Sequence, residues 1–387
     1  MGKEVSIEEI RKWLIADEKL EQLNNEETEF RKRNPNYSKN ILENKEFDRK
    51  AFLENYLKDI YVNGLVYNQV IEYGKKPYYF RGQNQDYGNC NSTLSRKLKE
   101  ESNDLELFKA YLKQAQLYIE LQKLKSVLDW KKINAKIFPI TLAQHFGMAT
   151  DIVDITNSLS VALFFATCIH VENNRFRPIS EEDIKKNKYG VLYILESEWI
   201  KVLKTNNTLL NLKIEVDYIK NLSLSISNNQ ISPIGYLPFS RCHKQKGYFI
   251  VDDLSGDFKL ENKGFKKIIF KHNIEFSKEI FDKFNGGEDI FDYEYSEEFQ
   301  KLINKIDDSK FYSRISFKAA YNLYKKRSKE KMNKKMILEH LYEEGIKIKK
   351  CNFLVEENIK RINKMWDLRK FLNKENICPG SRKVVGL

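Results

Sequence analysis

Residues 150–169 constrain the fold most strongly. Thr150-Asp151-Ile152-Val153-Asp154-Ile155-Thr156 is β-branched and polar at both ends, a composition that fits the pleat of a strand. Asn157 and Ser158 follow at once as helix caps, and they open an apolar run from Leu159 to Ile169 that contains no charged residue. A helix that is apolar all round belongs in the interior. Ala162 and Ala166, four apart, let one of its faces lie close to a sheet. Whatever else the chain builds, it has to bury this strand and this helix together.

The remainder of the sequence supplies enough apolar material to do so. Hydrophobic residues make up 41% of the 387 and charged residues 32%, with 24 Phe, 21 Tyr and only 7 Pro, which excludes a disordered chain. That length accommodates two or three domains. The longest apolar run, Val161 to Ile169, is about half of what a bilayer span requires. The N-terminus opens with alternating acids and bases instead of an apolar secretory segment, so a cytoplasmic protein without membrane association is expected. Met1-Gly2 with Ser6 fits the loose myristoylation pattern, but Ser6 is better placed as a helix cap. The five cysteines are odd in number, far apart and without a C-x-x-C pair, and the five histidines show no H-x-x-x-H spacing. Neither a disulfide framework nor a metal site is therefore expected, although carboxylate sites leave no comparable spacing.

Ser6-Ile7-Glu8-Glu9 is a capping box with Val5 and Ile10 as its staple, and it predicts a helix over 7–24. A second helix is expected near 47–60, which makes 1–75 a helical lead-in. Strands are expected at 77–80, stopping at Arg81-Gly82, and at 150–156, 191–195, 247–251 and 265–270. Helices are expected over 104–130, 140–146 and 159–169. From Glu297 the pattern is almost wholly helical, near 296–306, 311–328, 332–344 and 354–372. The Asn285-Gly286-Gly287 break sets a boundary near 290. The expected architecture is α+β: a small mixed or antiparallel sheet flanked by helices over 76–290, followed by a basic all-helical domain over 291–387.

Residues 301–387 hold 23 Lys and Arg against 10 Asp and Glu, leaving 44 against 45 for residues 1–300. All of the net positive charge is thus C-terminal. Basic surface attracts phosphate polymers without regard to sequence, so RNA, DNA or an acidic protein is the expected partner. Lys325, Lys326, Arg327, Lys329, Lys331, Lys334 and Lys335 are the first candidates for that contact, against the plainer reading of a solvated helical face.

The chemistry concentrates where polar residues sit between apolar ones. Gln144 and His145 stand one turn before Gly147, while Asp154 and Thr156, two apart on a strand, share a face. Buried polar groups need partners, and clusters of them tend to be sites. Arg81, followed by Gly82 and Gln83, offers a guanidinium fork for a phosphate or carboxylate. It suits pairing with Asp154 or another buried acid equally well, just as His145 suits a hydrogen-bonded helix end as well as a general base.

In order along the chain, Tyr79-Phe80-Arg81-Gly82-Gln83, Leu94-Ser95-Arg96, Ala143-Gln144-His145-Phe146-Gly147, Thr150 with Asp154 and Thr156, and Val161-Ala162-Leu163-Phe164-Phe165-Ala166 resemble the FRG domain. Tyr189-Gly190-Val191-Leu192-Tyr193 and Arg241 with Gln245, Gly247 and Phe249 continue the order, so the resemblance covers about 77–252. One departure is visible: relatives commonly carry a basic residue where Asp151 stands here, which puts an anion-binding role there in doubt.

The resemblance implies a bacterial protein of the kind found near mobile elements and phage-defence genes, that is, a toxin-like effector of antiviral defence or abortive infection. Its layout also looks like the ADP-ribosyltransferase superfamily. That likeness implies NAD as substrate, with Arg81, Gly82, Gln83, Gln144 and Thr156 as its binding residues. Arg81, Thr156 and Gln245 then fall at the three motif positions, and Asp154 and His145 give polar support. Gln245 can hydrogen-bond but cannot take a proton, so the likeness leaves Asp154 or Asp252 as the base. A non-catalytic sensing or nucleic-acid-binding module, its polar cluster a structural network, is the alternative. A phosphoesterase or nuclease built on Asp154, His145 and Arg81 lacks a second firm carboxylate for metal.

Overall fold

The five expected strands join in one sheet. A computed structural model of the chain describes residues 2–15, 17–18, 78–101, 104–132, 139–171, 175–196, 231–233, 244–291, 296–328 and 332–365. The expected helix at 47–60, the end of the helix at 7–24, residues 366–372 of the last expected helix, and Arg241, Lys329 and Lys331 lie outside those residues.

The strands are β1 (Lys3–Glu4), β2 (Tyr78–Gln83), β3 (Ile152–Thr156), β4 (Cys168–His170), β5 (Phe176–Pro178), β6 (Tyr189–Glu196), β7 (Ser232–Pro233), β8 (Gly247–Val251), β9 (Lys266–Lys271), β10 (Phe311–Tyr312) and β11 (Lys347–Ile348). The main sheet has the order β1-β9-β6-β2-β3-β8-β7. Its edge pair β1–β9 is parallel and its other pairs are antiparallel. The fold is α+β with a mixed sheet, as expected. The edge strands β1 and β7 are two residues each, too short for any periodicity to announce them.

The helices are α1 (7–15), α2 (Thr93–Glu101), α3 (Asp104–Leu121), α4 (Lys125–Lys132), α5 (Pro139–His145), α6 (Leu159–Thr167), α7 (Glu181–Lys186), α8 (Ile274–Lys283), α9 (Ser296–Asp307), α10 (Arg314–Arg327), α11 (Lys334–Glu343) and α12 (Glu356–Met365). Ser6 caps α1 by accepting from the Glu9 amide at 3.2 Å.

Several expected bounds move, and Phe311–Tyr312, expected inside a helix, instead forms β10, which pairs in parallel with β11 within the region expected to be all-helical. Strand β2 runs on to Gln83 because it pairs along its whole length with β6. The buried helix stops at Thr167, since Cys168–His170 pairs with Phe176–Pro178 as a small hairpin. The helix expected over 104–130 breaks after Leu121, where tight bonds from the Lys123 amide to Glu120 O and from the Leu124 amide to Leu121 O close α3.

Two layers cover one face of the sheet. Helix α6 packs Val161, Leu163 and Phe164 with Phe80, Leu192, Ile268 and Phe270. Beside it, α3 and α5 cover Ile152, Phe249 and Val251, and the same apolar cluster continues into the C-terminal helices through Phe299, Ile303, Phe317 and Tyr324. Phe108 of α3 meets Phe317 of α10 with ring centroids 5.2 Å apart. The opposite face holds Tyr79, Val153, Ile155, Val191, Tyr193 and Tyr248.

Candidate functional site

The site forms where the sheet opens. Strands β2 and β3 keep register at a single pair, Phe80 with Thr156. Beyond it the Asp154 carbonyl takes a hydrogen bond from Arg81 Nη1 at 2.5 Å. A guanidinium thus stands in for a missing ladder bond, and Arg81 Nε is left buried without a partner. This bond goes to the main-chain carbonyl of Asp154, not to the carboxylate that the sequence suggested as the arginine's partner.

Gly82 explains why helix α6 can lie so close. A Cβ at Gly82 would fall 1.7 Å from Ala162 O and 2.9 Å from Ala166 N, and one at Gly190 would fall 2.9 Å from Ala166 O. Two glycines on adjacent strands, set against Ala162 and Ala166, bring the helix backbone down onto the sheet. Ser158 caps that helix by accepting from the Val161 amide.

A cleft of about 790 Å³ lies between α5 and α6 and reaches through the opening between β2 and β3. Arg81, Gly82, Gln83, Gln144, His145, Asp154, Thr156 and Gln245 all line it, so of the residues singled out as catalytic or cofactor-binding only Asp252 stands elsewhere. Arg96 and Lys99 of α2 add positive charge, while Phe165, His170 and Phe176 form an aromatic side. Asp154 is the one carboxylate among the described residues of the lining, and its side chain is exposed.

The other polar groups are tied to one another. Thr156 is buried; its hydroxyl donates to Gln245 O at 2.7 Å and accepts from the Ser158 amide at 3.1 Å. Gln245 donates from Nε2 to Ile290 O at 3.1 Å. Gln144 Oε1 accepts from the Thr150 hydroxyl. His145, half-buried at the end of α5, meets Phe146 edge-on. Gln83 is buried with Nε2 3.7 Å from Cys90 Sγ, and burial pushes the Cys90 thiol up.

Asp252, the other candidate base, lies outside the cleft lining. It is fully buried and accepts from the Ser92 amide at 2.7 Å and the Leu254 amide at 2.8 Å, and burial raises its pKa. Asp151 points the other way, into the protein. Arg327 Nη2 reaches it at 2.8 Å and also reaches Asp252 O at 3.3 Å, and the Tyr111 hydroxyl lies 3.4 Å from its carboxylate. Arg327 is therefore turned inward, away from Lys325, Lys326, Lys334 and Lys335, which are exposed on the outer surface. Sequence reasoning gave no role to Arg96, Lys99, His170 or Phe176. Helix α2 (TLSRKLKEE) is mostly charged and the β4 and β5 strands are three residues each, so neither gives the apolar pattern that would have marked them.

The family model of the FRG domain matches residues 76–175. The chain contains an FRG domain. The FRG domain supplies β2, α2–α6 and β3, and with them Arg81, Gly82, Gln83, Gln144, His145, Asp154 and Thr156. The match ends short of the 77–252 expected from the sequence, and Gln245 lines the cleft from beyond the matched residues. No curated protein and no solved structure matches the chain. Among the described residues no helix is long and apolar enough to cross a membrane, and no group of three His, Cys, Asp or Glu side chains is placed to hold a metal ion.

Proposed function

We propose that the cleft binds NAD and that the protein is an FRG-domain effector of bacterial anti-phage defence, transferring ADP-ribose to a macromolecular target. One observation carries this reading: a single acid, Asp154, faces a cleft that also presents Arg81, Arg96 and Lys99 together with an aromatic side. Its volume falls within the roughly 300–1,000 Å³ usual for small-molecule sites. The defence role follows from the FRG resemblance.

The chemistry asks for that combination. Departure of nicotinamide breaks the bond from ribose C1′ to the pyridine nitrogen, and the electron pair leaves with that nitrogen. An acceptor oxygen or nitrogen on the target then closes on C1′, and its proton passes to the Asp154 carboxylate. Arg81 and the two cations of α2 neutralise the pyrophosphate and hold it in place. Thr156 and Gln245 act as positioning residues: the Thr156 hydroxyl holds the Gln245 main-chain carbonyl and so fixes the end of β3 against the turn before β8, while the Gln245 side chain is anchored on Ile290 O.

The second reading, a binding module without catalysis, draws on those same internal bonds: Arg81 to Asp154 O, Thr150 to Gln144 and Thr156 to Gln245 O. Calorimetric titration of the full chain with NAD separates the two. Wild type and Asp154→Asn are expected to bind NAD alike, with Arg81→Ala at least tenfold weaker. Absence of NAD binding by wild type removes the transferase reading and leaves the module.

A further inference from the structure

Away from the cleft, α10 carries a second feature. Residues 313–335 contain nine Lys or Arg and one acid, Glu330, and no acid falls between 309 and 329. Along α10, Arg314, Lys318, Tyr321 and Lys325 recur at spacings that return to one side of a helix. Arg314, Lys318 and Lys325 are exposed and Tyr321 is half-buried. The opposite side is fixed in the core by Phe317, Ala320 and Tyr324. Tyr324 further donates to Asp104 Oδ2 at 2.5 Å and accepts from the Met332 amide at 2.8 Å. Packing therefore sets which side of α10 faces water.

Helix α11 extends the row. Lys334 Nζ sits 5.2 Å from the Tyr321 ring centroid and Lys325 Nζ sits 5.9 Å from it. An aromatic ring with two ammonium groups within 6 Å of its centroid, set in a row of cations, combines a stacking platform with an electrostatic track. From Arg314 to Lys325 the row is about 16 Å long at about 1.5 Å per residue, which covers about five phosphates of a stacked strand at about 3.4 Å each.

We propose that the outward row Arg314, Lys318, Tyr321 and Lys325 of α10, with Lys334 of α11, binds single-stranded nucleic acid, the cations following the phosphodiester backbone and Tyr321 stacking on a base. The row does not depend on what the cleft binds. Charge complementarity draws the phosphates, and the aromatic ring within the cationic row favours a polymer that carries bases over a lipid headgroup or an acidic peptide.

The test is fluorescence anisotropy of the full chain with a labelled 20-nucleotide RNA, a duplex of the same length and anionic phospholipid vesicles, over 50 to 200 mM salt. Four cations predict a log–log salt slope near −3 for the single strand, at about 0.7 per phosphate. Lys318→Gln/Lys325→Gln/Lys334→Gln is expected to bring the slope near −1 and to weaken binding more than tenfold at 50 mM salt. Tyr321→Ala is expected to weaken single-strand binding at least fivefold and to leave the duplex unchanged. A control with the same loss of charge elsewhere, Lys185→Gln/Lys186→Gln/Lys278→Gln at exposed positions, should retain wild-type binding, and circular dichroism establishes that each variant is folded. No binding of RNA at 50 mM salt, equal losses in the control, or vesicle binding as tight as RNA binding and lost in the same variants overturns the proposal.

Discussion

A Cβ on Gly82 would lie 1.7 Å from the carbonyl oxygen of Ala162. No side chain fits in that space, and the obstacle is helix backbone that cannot rotate away. The glycine after Arg81 is thus a packing requirement that presses the buried helix against the strand carrying the arginine. Gly82→Ala is expected to cost about 3 kcal/mol or more, at the upper end of core overpacking, read as a lower urea midpoint at unchanged slope. Wild-type stability in this variant would contradict the close approach.

The buried pair of Asp151 and Arg327 links the start of β3 to the end of α10, with side-chain exposures of 9% and 17%. Burial works against the guanidinium charge, but Asp151 and Tyr111 together outweigh it and raise the Arg327 pKa. Removing one partner from such a pair costs about 3–5 kcal/mol, whereas apolar replacement of both is often near neutral. Arg327→Met alone is expected to destabilise by about 3 kcal/mol, and Asp151→Leu/Arg327→Met to recover most of the loss. Additive losses in the double-mutant cycle would show that the two residues are not coupled.

Asp252 gives the pH dependence a definite sign. Burial raises its folded-state pKa, so between the ordinary carboxylate value near 4 and that raised value the folded chain holds a proton that the unfolded chain has lost. Stability from this group is complete below the unfolded pKa and falls as pH rises through the folded one. Across pH 4 to 7, Asp252→Asn should lose less unfolding free energy than wild type. Parallel curves would count against the raised pKa.

The parts of the fold legible in the sequence are those whose cause is local. Strand β3, the Ser158 cap and helix α6 are each specified by neighbours within four positions, and Ala162 and Ala166 already pointed to a close sheet contact. Gathering Gln144, His145, Asp154 and Thr156 into one pocket followed from the turn at Gly147 and from strand alternation. What stayed hidden depends on partners far along the chain. Arg327 finds Asp151 across 176 positions, and fully buried Glu120 accepts from the Leu354 amide across 234. Nothing near Asp151 in the sequence shows that a guanidinium from α10 meets its carboxylate. The opening between β2 and β3 is equally non-local, since it reflects where a strand ladder stops.

Nicotinamide release from NAD tests whether the cleft is a transferase site. Purified full chain would be incubated with total RNA, with DNA or with cell lysate as acceptor, beside Arg81→Ala and Asp154→Asn. Turnover is expected with at least one acceptor, falling at least a hundredfold in Asp154→Asn while NAD binding persists, and lost along with binding in Arg81→Ala. Turnover that is unchanged in both variants, or no nicotinamide released by wild type with any acceptor, would contradict a transferase site there.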